Sequence, residues 1–230
     1  MQFAQALLTK KQSGLIPVIP DIKCISPKTG DLLRGRDPLA AVKLLEEAGA
    51  PALSVVTEQR YFGGSIKLLE KIAAVTALPL LRKDFIGSTD DLKITKDCGA
   101  AAILLICAKL PPAKLSRLYE QALQMGLEPL VETHTKEEMN FAAGIGAKLI
   151  GINNRDITDL EKDHGTVNNT RLLAASKPAN ALLISESAIQ TSADARAAID
   201  AGADAVLVGT AIWQAEDMRK CFLAFSNMGE

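Results

Sequence analysis

Aromatic side chains are scarce in this chain, 4% of its 230 residues, and its formal net charge is only -1. Near-neutrality without a long basic run offers no electrostatic surface for a phosphate backbone, so no nucleic-acid partner is expected. Long hydrophobic runs are missing too. The stretch Leu15–Ile22 is broken by Pro17 and Pro20 and falls well short of the ~18 residues a membrane span needs, so no membrane partner is expected either. The opening MQFAQALLTKKQ lacks the charged-then-apolar order of a secretory signal. Cys24, Cys98, Cys107 and Cys221 show neither metal-ligand spacing nor the density of a disulfide framework. They read as free thiols in a reducing, cytoplasmic compartment. The two histidines, His134 and His164, have no carboxylate spacing that would make a metal site and read as loop residues. What remains is a chain that is 48% hydrophobic and long enough for one substantial core.

That core is written as a repeat. Apolar or β-branched runs recur at Leu15–Ile22, Ala52–Val56, Leu78–Leu81, Ala101–Cys107, Pro129–Glu132, Lys148–Ile152, Ala181–Ser185 and Ala203–Val208. Their continuous apolarity fits parallel strands buried on both faces. Helix-period segments lie between them: Pro38–Ala48, Ser88–Asp97, Pro112–Gln124, Lys136–Gly144, Asn168–Ala175, Ser192–Ala201 and Trp213–Ala224. Asp37 before Pro38 supplies an N-cap followed by proline at the first helical position. In EEAGAPAL, KDCGAAAI and IDAGADAV a glycine can take the left-handed conformation that ends a helix and turns the chain into the next strand. Eight strand–helix units in one undivided chain predict an α/β fold, a single-domain (β/α)8 TIM barrel over 1–230, with its site at the C-terminal ends of the strands. A doubly wound sheet usually carries a GxGxxG turn after its first strand, and this chain has none.

Polar residues stand where the apolar runs end. Asp21 and Lys23 follow the first run, Thr57 and Glu58 the second, and Arg82, Lys83, Asp84 and Phe85 the third. Glu132, Thr133 and His134 close the fifth. Asn153, Asn154, Arg155 and Asp156 follow the sixth, Glu186 and Ser187 the seventh, Gly209 and Thr210 the eighth. A lysine beside an apolar run must be paired or do chemistry, because burying a lone ammonium is costly. The small-residue turns SESA and VGTA lead into helices, an arrangement that offers backbone N–H groups to a phosphate. A phosphorylated small-molecule substrate is therefore expected.

The motifs IPDIKCISP, LSVVTEQRYFGGS, PLLRKDFI, ILLICA, PLVETHT, IGINNRDI, ISESAI and VLVGTAI, in this order, resemble those of the indole-3-glycerol phosphate synthase family from about Ile19 onward. The resemblance implies a barrel enzyme of tryptophan biosynthesis. It would convert 1-(2-carboxyphenylamino)-1-deoxyribulose 5-phosphate into the indole, releasing carbon dioxide and water, with no cofactor, as a monomer or weak homodimer. It implies Lys83 as general acid, Glu132 as the carboxylate facing developing positive charge, and Lys23 as the contact of the substrate carboxylate. Asp21, standing where the family has glutamate, would be the fourth catalytic residue. Asn153, Arg155, Glu186 and Ser187 would bind substrate, with Phe62, Phe85 and Leu104 around the aromatic ring. Ser26, Ala188, Gly209 and Thr210 would hold the phosphate, Ala188 replacing the family's glycine. Residues 1–14 read as a shortened form of the family's N-terminal extension, which covers the substrate. The rival readings are a barrel acting on another aromatic amino-sugar phosphate and a non-catalytic phosphate-binding barrel subunit.

Overall fold

The computed structural model describes residues 2–155 and 166–227. Asp156 and His164 lie outside the described residues. Eight parallel strands close into a barrel: β1 Val18–Ile22, β2 Leu53–Val56, β3 Leu80–Lys83, β4 Ala102–Ile106, β5 Glu128–Thr133, β6 Leu149–Asn153, β7 Leu182–Glu186 and β8 Ala205–Val208. Each pairs with its sequence neighbour, and β8 returns to β1 through Val18 opposite Val206 and Ile19 opposite Leu207. The helices α2 Pro38–Glu47, α3 Ile66–Ala73, α4 Thr89–Asp97, α5 Pro112–Gln124, α6 Lys136–Gly144, α7 Asn168–Leu173 and α8 Ser192–Asp200 follow the first seven strands in turn. After β8 come α9 Thr210–Gln214 and α10 Met218–Ser226. The (β/α)8 barrel read from the sequence is the observed fold.

Local chemistry explains the boundaries. The Asp37 side chain accepts from the Leu39 N–H to cap α2, and Ser88 with Asp91 forms a reciprocal capping box on α4. Gly49, Gly99 and Gly202 have φ of 91°, 81° and 110°, the left-handed conformation expected at these helix ends. Two readings change. The segment Trp213–Ala224 is not one helix but two, because the Asp217 side chain accepts from the Lys220 N–H and starts a new one. Helix α3, absent from the segments read above, is capped by Ser65, whose side chain accepts from the Leu68 N–H.

Side chains alternate along each strand. Outward residues such as Val18, Val55, Val131 and Ile150 pack under the helices, while Ile19, Leu81, Leu104, Leu130, Leu149, Ile184 and Leu207 fill the barrel. Two residues beyond these inward positions come Asp21, Lys83, Ile106, Glu132, Gly151, Glu186 and Gly209. The strand period thus lifts a ring of mainly polar groups onto an apolar floor.

The opposite end of the barrel is closed by α1, Gln2–Gln12. Phe3 and Leu7, one turn apart, are buried among the interior residues of the barrel. Each such side chain contributes roughly 1.5–3 kcal/mol on burial. The Glu128 carboxylate accepts from the N–H of Phe3 (2.7 Å) and Ala4 (3.0 Å), satisfying the start of the helix. Lys10 donates to the Gly49 carbonyl at 2.7 Å, and Lys11 pairs with Asp204 at 2.5 Å. Helix α1 thus plugs the end of the barrel opposite the polar ring.

Candidate active site

Two adjoining pockets open at the C-terminal ends of the strands and share Asp21, Lys23, Lys83, Arg155 and Ser187. One is walled by Phe62, Phe85 and Leu104 and bounded by Glu132 and Asn153. The other is lined by Ser26, Lys28, Ala188, Gly209 and Thr210. Every site residue read from the sequence lines one of them except Glu186, which is fully buried below Lys83. The strand boundaries shift slightly. Lys83, Asn153 and Glu186 end their strands rather than follow them, which gives the functional groups a rigid backbone.

At the centre, the Lys83 Nζ stands 3.5 Å from Glu186 Oε2 and 3.8 Å from Glu132 Oε2. Asn153 donates through Nδ2 to Glu132 Oε1 at 3.2 Å. Burial drives the Glu186 carboxyl up to about 7. The Lys83 charge opposes this shift, and the charges of Glu132 and Asp21 add to it. Neither Glu186 oxygen has a hydrogen-bond partner among the described residues. A buried, unbonded carboxyl beside a lysine is a poor structural device and a good proton-exchanging one.

Asp21 is tied down. Its Oδ1 accepts from the Ser54 Oγ at 2.6 Å, and its carbonyl accepts from the Trp213 Nε1 at 2.8 Å, linking strand β1 to α9. Lys23 is buried with its ammonium 5.7 Å from the centre of the Phe62 ring. Phe62 is set by Glu58, whose carboxylate accepts the N–H groups of Arg60, Tyr61 and Phe62. Phe85 is 39% exposed, with the Lys109 ammonium 5.7 Å from its ring centre.

In the second pocket, Ser187 and Ala188 have φ of 65° and 57°. The left-handed turn a glycine would take freely is thus kept by an alanine, at a cost of order 1–3 kcal/mol. Gly209 precedes α9, and a Cβ there would meet the Asp21 Cβ at 3.2 Å.

Not every polar residue at a strand end faces the mouth. Arg82 turns outward and donates to Thr57 Oγ1 (3.1 Å), Asp84 Oδ2, Thr95 Oγ1 and the Asp91 carbonyl (3.0 Å each). Asn154 likewise turns outward: its Nδ2 donates to Ser185 Oγ, and its Oδ1 accepts from the Thr170 N–H. Both clamp the strand end next to an inward-facing neighbour, Lys83 and Asn153.

Three further residues, Gly64, Gly151 and His134, shape the site. A Cβ on Gly151 would lie 2.0 Å from Glu186 Oε1, so this glycine makes room for the buried carboxyl. A Cβ on Gly64 would lie 2.1 Å from the Val56 carbonyl oxygen, which explains the second glycine of YFGGS. An isolated glycine within a strand is the sequence sign of such close approach. His134, read as a loop residue, is largely enclosed. Its Nε2 lies 3.5 Å from Glu132 Oε1, and its Nδ1 lies 3.5 Å from Glu138 Oε2.

Among the described residues, no three His, Cys, Asp or Glu side chains gather so as to hold a metal ion, and no helix is long and apolar enough to cross a membrane. The site offers instead two lysines and an arginine facing three carboxylates, between an apolar wall and two small-residue turns. This suits proton transfer on a substrate with an aromatic end and an anionic end. The indole-3-glycerol phosphate synthase family model matches residues 1–224. The chain is 46% identical over 201 residues to the indole-3-glycerol phosphate synthase of Pyrococcus furiosus, covering 87% of each chain. It is 43% identical over 209 residues to that of Pyrococcus abyssi, covering 91% of this chain and 90% of the relative. With the enzyme of that name from Leifsonia xyli it shares 40% over 197 residues, 86% of this chain and 75% of the relative. The barrel, the polar ring at its mouth and these likenesses place the chain in the indole-3-glycerol phosphate synthase family.

Proposed function

We propose that this chain is an indole-3-glycerol phosphate synthase of tryptophan biosynthesis. It carries out the decarboxylating, dehydrating ring closure of 1-(2-carboxyphenylamino)-1-deoxyribulose 5-phosphate. The observation that carries this reading is Lys83 held between Glu132 and Glu186 under an apolar wall. The phosphate sits among Ser26, the Ser187–Ala188 turn and Gly209–Thr210, where backbone N–H groups and hydroxyls can donate. The aromatic ring lies against Phe62, Phe85 and Leu104, with its carboxylate toward Lys23. Arg155, which lines both pockets, adds positive charge where the two ends of the substrate meet.

Lys83 gives its proton to the ribulose carbonyl oxygen as the ring carbon bearing the carboxylate attacks the carbonyl carbon. Positive charge then spreads onto the ring nitrogen, and Glu132, fixed by Asn153, faces it. Fixed charges aimed at developing charge supply much of the barrier lowering in such steps. The carboxylate leaves as carbon dioxide, and its bonding pair restores the ring. The new hydroxyl takes a second proton and leaves as water, and the methylene next to nitrogen loses one proton to complete the indole. Two protons enter and one departs, so each turnover consumes one proton. Glu186, titrating near neutrality, is suited to exchange protons with Lys83 during these steps.

The test is direct. Purified protein incubated with the carboxyphenylamino sugar phosphate should generate indole fluorescence and carbon dioxide in equal amounts. Absence of both, with the substrate intact, overturns the reading.

A further inference from the structure

The reaction proposed above consumes one proton per turnover, and Lys83 supplies it. With substrate filling the mouth, the pocket side of Lys83 is covered, so the proton must return from elsewhere. Behind Lys83 runs a row of titratable groups: Glu132, His134 and Glu138. The Lys83 Nζ is 3.8 Å from Glu132 Oε2, Glu132 Oε1 is 3.5 Å from His134 Nε2, and His134 Nδ1 is 3.5 Å from Glu138 Oε2. Side-chain exposure rises outward along it, from 1% at Glu132 to 12% at His134 and 21% at Glu138. We infer that Glu138, His134 and Glu132 form a proton path that reloads Lys83 from solvent beneath the bound substrate.

The inference rests on the proposed reaction, and four features of the row support it. Both ring nitrogens of His134 are buried without a hydrogen-bond partner, yet each faces a carboxylate oxygen. At 3.5 Å these contacts are too long for hydrogen bonds and close enough to become them with a small ring movement. The His134 backbone N–H donates to Glu138 Oε2 at 2.6 Å, which fixes that carboxylate beside the ring. Burial alone would lower the His134 pKa; the pull of Glu138, Glu132 and Glu186 outweighs it and raises the value. Burial pushes the thiol of Cys107, which also feels the charges of Glu138 and Glu132, up to about 12, so it stays protonated and out of the exchange. In one cycle the imidazolium Nε2–H passes to Glu132 and from there to the neutral Lys83 amine, which leaves a neutral ring with its hydrogen on Nδ1. The ring then exchanges to its Nε2–H tautomer, and the freed Nδ1 takes the replacement proton from water by way of Glu138, restoring the imidazolium. No electron changes hands.

The path predicts a separation between first and later turnovers. His134→Gln and Glu138→Gln are each measured with enzyme in excess and then at steady state. Lys83 starts protonated, so the first turnover should stay within about twofold of the unmodified protein. Steady-state kcat should fall at least about tenfold, with KM little changed. Raising imidazole buffer at fixed pH should restore part of the loss in His134→Gln. Equal slowing of the first and later turnovers would overturn the path and leave His134 as a structural brace of Glu132. Unchanged steady-state rates in both variants would also overturn it. Glu138→Gln, on the outer helix and still able to accept from the His134 N–H, decides the matter if His134→Gln does not fold. Failure of the unmodified protein to form indole would instead sink the proposed reaction, and the path with it.

Discussion

Gly151→Ala makes the sharpest test of the site because one methyl group has one target. The new Cβ would stand 2.0 Å from Glu186 Oε1 and 3.1 Å from its Cδ, where ordinary contact begins at 3.4 Å. The carboxyl must therefore retreat by more than about 1 Å. It has little room to do so, since Glu186 has no exposed surface and Leu130 Cδ1 already lies 3.6 Å from the same point. Retreat breaks the 3.5 Å contact with Lys83. A misplacement of about 1 Å in a preorganised site costs on the order of a hundredfold in rate, and overpacking a core costs about 1–3 kcal/mol. For a domain of this size each kcal/mol lowers Tm by about 2–4 °C. Indole fluorescence and a thermal melt read both quantities on one sample. Gly144→Ala is the control, because its Cβ would meet nothing within 4 Å at the end of α6. That variant should keep its activity and gain up to about 1 kcal/mol. A Gly151→Ala protein with kcat within about threefold of the original would show that the Glu186 position does not govern turnover.

Lys83→Met should retain substrate binding and lose at least about a hundredfold in kcat, and Lys83→Arg should fail as well because guanidinium does not give up its proton at neutral pH. More than about a tenth of the original kcat in either variant would remove Lys83 from the acid role. Gly209→Val should raise KM, since even its Cβ crowds Asp21 and its branches narrow the approach to α9; an unchanged KM would move the phosphate elsewhere. Glu186→Gln should raise Tm at pH 8 more than at pH 5. The folded carboxyl keeps its proton up to about 7 against an ordinary 4.5, so its favourable contribution is full below about 4.5 and is lost as pH rises toward 7. A neutral amide escapes that loss, and an equal Tm change at both pH values would contradict the raised pKa.

The barrel was legible because its signals are local. Apolar runs of strand length, caps such as Asp37 and Ser88, and glycine turns at Gly49, Gly99 and Gly202 each act over a few residues. The polar ring was legible for a related reason: a strand end fixes where its side chains emerge. Direction was harder to read. Arg82 beside Lys83 and Asn154 beside Asn153 follow from the two-residue strand period, but only once the strand is known to run through them. Contacts between distant segments left no mark of this kind. Nothing near Gly151 announces that Glu186 will lie against it. The position of α1 left no local mark for the same reason, because its partners, Glu128 and Asp204, lie more than a hundred residues away.

The opposite aim of Arg82 and Lys83 ties chemistry to alignment. A slip of β3 by one residue against β2 would exchange their faces. The guanidinium would enter the mouth, where it cannot serve as an acid, and the ammonium would fall among Thr57, Asp91 and Thr95, which together with Asp84 hold a flat, forked group at four points. Such a mispaired chain would fail as a fold and as a catalyst at once. A variant in which this strand is even slightly unsure of its neighbour should therefore show loss of turnover and loss of α4 docking together, never one alone. Activity in this protein is then also a reporter of strand alignment.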